Sequence, residues 1–279
     1  MNANYSGTAL LVSVSILLSS CAKNEPIEEG RAPGEAAVAK YLFDAARDEI
    51  DQQLNFQSVL NGFNENNIGG DRSGCAEVSI FPVGQVFPKV VTITFPKNCR
   101  TFAGAEIEGT VMINISGRIR ETGTQAGFTL KDFKYKKYSL SGNYLVTFTG
   151  INAHRTEITD GKLTTPDNRI ITYQATNTAV QTAGLNTTFK SHPATFLQDD
   201  EFVISTISSG VNSKGNKFEM NSEIPLTWKF ACQWIISGKM MIKEESNPVI
   251  NALLDYGDGS CDNKAILTIN NFVTTITLP

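Results

Sequence analysis

The chain has 279 residues, a net charge of −4 and 19% charged residues. That balance leaves no basic footprint for nucleic acid. The length suffices for one large or two small domains with a real core.

Residues 1–20 read as a signal peptide. Their apolar run, "ALLVSVSILL" from Ala9 to Leu18, has signal-peptide length and is too short to span a bilayer as a helix. It ends in Leu18-Ser19-Ser20-Cys21. This tetrad resembles the bacterial lipobox, in which a branched apolar residue and two small residues precede a cysteine that takes the diacylglycerol. The resemblance implies cleavage before Cys21 and lipidation of its thiol. It places the protein in the cell envelope as an outer-membrane lipoprotein, with the membrane as a partner through the anchor. No Lys or Arg precedes Lys23, whereas signal peptides carry a positive n-region. Either Met1 is not the true start or the signal is atypical. A transmembrane anchor, or a secretory signal cleaved elsewhere, is the alternative. Residues 21–34 are polar, with Pro26 and Pro33, and read as a tether.

Residues 35–63 form the one convincing helical segment, rich in Ala, Leu, Glu, Gln and Arg. Val38, Leu42, Ala45 and Ala46 share a stripe at helical spacing, while Asp44, Arg47, Asp48 and Asp51 lie mostly off it. A helix packed on a sheet is expected; a lid over a cavity is the sharper alternative.

From residue 74 to 279 the pattern changes to alternation of Thr, Val, Ile, Phe and Tyr, punctuated by Gly, Asn, Asp and Pro. In "GTVMINISGRI", Val111, Ile113 and Ile115 share one face. About 12 strands with no helical pattern between them imply an all-β antiparallel body. One-face-apolar strands suit a sandwich or an open or half barrel.

Five cysteines are an odd number for an exported protein. Lipidation accounts for Cys21 and leaves four, which suits two disulfides in an oxidising compartment. Cys75 and Cys99 bracket one out-and-back unit, and Cys232 and Cys261 another. Members of each pair should lie near the same end of a hairpin, so Cys75–Cys99 and Cys232–Cys261 are the expected bonds. Each should contribute on the order of 3–4 kcal/mol in the chain-entropy model. A zinc site lacks both C-x-x-C and a Cys–His cluster.

Catalytic signals are sparse. His154 and His192 are the two histidines, and both read as exposed loop residues rather than general bases. No G-x-S-x-G elbow occurs. Asp199, Asp200 and Glu201 precede a strand; paired acids could serve glycoside hydrolysis, but a solvated turn is the expectation. "DYGDG", from Asp255, fails the EF-hand spacing, because the third position is Gly257 and the twelfth Ile266. Its Asp-Gly steps suit a tight reversal. A looser calcium site from Asp255, Asp258 and Asp262 stays open. No catalytic residue and no cofactor is assigned.

"FPKVVTITFPKNC", "CQWIISGKMMI", "LDYGDGSCDNKAILTIN" and the terminal "TITLP" together resemble an uncharacterised cell-envelope lipoprotein family of Bacteroidetes. The resemblance covers roughly Gly74 to the end and implies a shared architecture and an envelope address, with no activity attached. The expected function is non-enzymatic: binding of an apolar or lipid-like ligand on a concave sheet face. The alternative is a β-sandwich adhesion or assembly module with protein or glycan partners.

Overall fold

The computed structural model of the chain describes residues 32–60, 67–68, 75–101, 103–187, 197–270 and 272–279. Cys21, His192, the signal segment and nearly all of the tether lie outside the described residues.

One helix, α1 (Ala32–Leu60), precedes fourteen strands. These are β1 (Asn67–Ile68), β2 (Glu77–Phe81), β3 (Lys89–Arg100), β4 (Glu106–Ile115), β5 (Gln125–Tyr135), β6 (Tyr138–Gly150) and β7 (Ala153–Thr164). There follow β8 (Ile170–Ala183), β9 (Glu201–Val211), β10 (Lys217–Lys229), β11 (Ile235–Glu244), β12 (Ile250–Asp258), β13 (Lys264–Ile269) and β14 (Phe272–Thr277). Each strand pairs antiparallel with the next in chain order, and β1 does not pair with β14. The body is therefore one open meander. The all-β antiparallel class holds, and the open curved sheet rather than a two-sheet sandwich is its form.

Two strands escape a reading by apolar alternation. β7, "AHRTEITDGKLT", carries charges on its outer face while Thr156, Ile158, Gly161 and Leu163 form the buried one. The run from Ala265 to Leu278 is two strands, because Asn270 takes a left-handed φ of 54° and reverses the chain.

The disulfides Cys75–Cys99 and Cys232–Cys261 are present, with Cα–Cα distances of 5.6 and 5.7 Å. The first joins the starting end of β2 to the finishing end of β3, and the second pins the β12–β13 turn to the chain entering β11. No helix among the described residues is long and apolar enough to cross a membrane.

The helix begins three residues before the expected start, inside the stretch read as tether. Pro33 and Gly34 sit in its first turn, where a missing N–H has no intrahelical acceptor to lose. Its surroundings also differ from the one-striped expectation. Every side chain from Pro33 to Phe43 is buried, and Arg47, Glu49 and Gln53 are buried too. The sheet curls round α1 and supplies partners on several sides. Phe43 stacks on Tyr173 of β8 at 5.1 Å between ring centres. Tyr144 of β6 donates its hydroxyl to the Phe43 carbonyl at 3.0 Å. Lys136 and Gln233 both donate to the Tyr41 hydroxyl. Gly161 lets the strand pass close under the helix: a Cβ there would lie 2.3 Å from the Tyr173 carbonyl oxygen and 3.1 Å from the Phe43 ring.

Candidate functional site: an aromatic cleft beside the helix

The inward face of β8 shows why a cleft opens where it does. From one end it reads Ile171, Tyr173, Ala175, Asn177, Ala179, Gln181. Tyr173 fills the space under Phe43. Ala179, three inward positions further along the strand, is too small to reach the helix. Its register neighbours are His154 on β7 and Ile204 on β9. The row therefore has a notch, and a cleft of about 750 Å³, mouth included, lies over it.

Rings form one wall of this cleft. Phe148 of β6, His154 of β7, Phe202 of β9, Trp228 of β10 and Phe230 follow one another with centres 5.6–6.2 Å apart. Tilted and edge-on aromatic contacts at this spacing are attractive beyond their burial. Val146, Ala179 and Ile204 add to the apolar lining.

The opposite side is polar and comes largely from the helix. Arg47 is buried and bridges outward: its Nη1 lies 2.9 Å from His154 Nε2 and 3.5 Å from Asp51, and its Nη2 donates to Asp48. An arginine can only donate, so His154 Nε2 accepts and the ring proton sits on Nδ1. Burial, together with the Arg47 and Arg120 charges, holds the His154 pKa down at about 3. The imidazole is neutral throughout the physiological range. Asp48 is pushed up to about 6 by burial, against the attraction of Arg47 and with the help of Asp44 and Asp51. Asp200, at the mouth, accepts from Gln181 Nε2 at 2.8 Å and faces Arg120 Nη2 at 3.7 Å. Burial lifts it to about 6, against Arg120.

Two buried donors of residues along this cleft have no protein partner among the described residues. Arg47 Nε and Trp228 Nε1 are fully shielded and unpaired. Among the described residues, the hydrogen bond to the His154 ring is the Arg47 contact at Nε2, which leaves Nδ1–H free to donate. Buried donors left unpaired are costly, and Arg47 and Trp228, which carry these two, both line the cleft.

The residues singled out from sequence fall unevenly against this geometry. His154 is not an exposed loop residue: it opens β7, half-buried, because Arg47 and two phenylalanines close over it. Asp200 is not a solvated turn residue either; it is 3% exposed. Asp199 accepts from Thr187, and Glu201 pairs with Lys229. The calcium candidates do not assemble into a site. Asp255 accepts from Gly257 N–H and pairs with Lys239, Asp258 accepts from Ser260, and Asp262 accepts from Lys264 N–H. Each is occupied with its own turn. Among the described residues no three His, Cys, Asp or Glu come together as metal ligands.

Sequence reasoning missed Arg47, Asp48, Phe202 and Trp228 as site residues. The one available signal is "TWKFACQW", which crowds three aromatic residues into eight positions at a strand end.

Comparison with protein-family models, with curated proteins and with solved structures finds no match.

Proposed function

We propose that the protein is a lipid-anchored envelope protein that binds a small, largely apolar ligand in the cleft beside α1. One observation carries this reading. A ring-lined wall faces buried donors that the protein itself leaves unpaired, which is the composition of a binding pocket rather than of a filled core. The two disulfides support an exported address, and the Leu18–Cys21 tetrad supports the anchor. The ligand is compact. An apolar or lipid-like ligand spread along the concave face would have to displace α1, whose first three turns occupy that space.

Native mass spectrometry of the intact protein, purified without denaturant, is the test. The reading expects a co-purifying small molecule that is lost in Ala179→Phe, a substitution that fills the notch. An empty wild-type protein that also fails to bind any short apolar probe would reject it. For the anchor, Cys21→Ala should abolish fatty-acid labelling and release the protein from membranes; persistent labelling would reject the lipobox reading.

A hydrolytic reading has its own observation in favour: Asp48 and Asp200 are both raised to about 6 and line the same cleft. Both carboxyls are, however, held by neighbours, Asp48 by Arg47 and Asp200 by Gln181 and Arg120. A survey of ester and glycan hydrolysis decides. A pH–rate profile that breaks near about 6 and is lost in Asp200→Asn would favour catalysis; no turnover favours binding.

A further inference from the structure

We infer that the ligand of the cleft is an uncharged acyl compound, an ester or amide whose carbonyl oxygen accepts from one or more of the N–H groups of Arg47, Trp228 and His154 while its hydrocarbon part lies on the aromatic wall. The inference rests on the binding reading above and specifies its chemistry.

The argument starts from the sense of the unpaired groups. Arg47 Nε, Trp228 Nε1 and His154 Nδ1 are all donors. Arg47 and Trp228 are 7% and 8% exposed, so water reaches them poorly. A ligand that satisfies them must present an acceptor, which a bare hydrocarbon cannot. The histidine cannot change sides in this arrangement. Its Nε2 is held by Arg47, and a second proton would place a cation against Arg47 and Arg120.

Charge then separates the acceptors. Two arginines, Arg47 and Arg120, face three aspartates, Asp48, Asp51 and Asp200, around the cleft. Arg47 is already paired with Asp48 and Asp51, and Arg120 faces Asp200. No positive charge is left over for an anion, and a ligand carboxylate would meet carboxylates already there. A neutral carbonyl can accept a hydrogen bond there without that repulsion. The aromatic wall from Phe148 to Phe230 supplies the apolar surface for the chain.

Titration calorimetry of the full-length protein at neutral pH with methyl octanoate, octanoate and octane tests this, with Trp228→Phe alongside. That variant keeps an aromatic ring and removes one donor. The ester is expected to bind about tenfold or more tighter than octane and tighter than octanoate, and Trp228→Phe should cut the ester's advantage over octane several-fold. Equal binding of ester and octane by the wild type would overturn the acyl inference while leaving the apolar pocket standing. Tightest binding by octanoate would overturn the claim of an uncharged head. Binding by none of the three would reject the pocket reading itself. The wild-type comparison needs no variant, so the inference stays testable if Trp228→Phe does not fold.

Discussion

The two halves of α1 lie in the same curled sheet and are treated differently by it. The first half, Pro33 to Phe43, is sealed, and the charged side chains it carries are matched. The Glu35 carboxylate receives Arg169 from the β7–β8 turn and both the N–H and the hydroxyl of Ser213 from the β9–β10 turn. Lys40 pairs with Asp44, and Asn177 of β8 donates to Asp44 at 3.2 Å. In the second half, from Arg47 on, Arg47 Nε is shielded from solvent and has no partner among the described residues; Asp48 is held well above the usual carboxylate range. Buried polar groups that are fully satisfied fix a unique packing, and those left short are where a partner is missing. The contrast assigns stability to one end of the helix and ligand chemistry to the other.

The largest effect should come from the sealed half. Phe43→Ala removes the ring stacked on Tyr173 and is expected to cost about 3–5 kcal/mol in denaturant unfolding. Its effect on ester affinity in any protein that remains folded should be small. Glu35→Ala comes next. It strands Arg169 and two Ser213 donors at the helix start, with a loss of about 3 kcal/mol expected. If either substitution weakened ligand binding more than stability, the division between the halves would be wrong.

Cleft substitutions should behave in the opposite way. The folded pKa of Asp200 is raised above that of an unfolded aspartate, so the native state holds the proton more tightly. Its contribution is fully present below about pH 4 and is lost as pH rises through about 6. Asp200→Asn should therefore flatten the fall in melting temperature over that window. The gain near neutrality should be on the order of 1–2 kcal/mol, reduced by the solvent that reaches the cleft mouth. An unchanged pH profile would show that the cleft does not strain this carboxyl. Trp228→Phe is the smallest in stability. It removes an unpaired N–H and keeps the ring, so a change within about 0.5 kcal/mol is expected, together with the loss of ester preference.

The same contrast separates what the sequence made legible from what it hid. Period-two alternation exposed most strands, because an open sheet buries one face along its whole length. The bracketing of hairpins exposed Cys75–Cys99 and Cys232–Cys261, because paired strand ends bring the residues near. The helix was visible from composition, but not its enclosure. Glu35, Lys40 and Arg47 look like a solvated face until their partners, Arg169, Asp44 and His154, are known; two of these lie more than a hundred residues away. The cleft was hidden for the same reason. Ala179 opens a notch only because the sheet register sets it between His154 and Ile204. The Asp-Gly stretch at Asp255 was legible as a tight reversal, because each carboxylate accepts from the backbone of its own turn.

Hydrogen exchange along α1, with and without methyl octanoate, tests the division most directly. Amides of a sealed segment exchange through global opening, whereas those at a half-filled site open locally. The account predicts added protection at Arg47 to Leu54 and at the start of β7, with no local change between Pro33 and Phe43. Protection spread evenly along the helix, or confined to its first half, would contradict it.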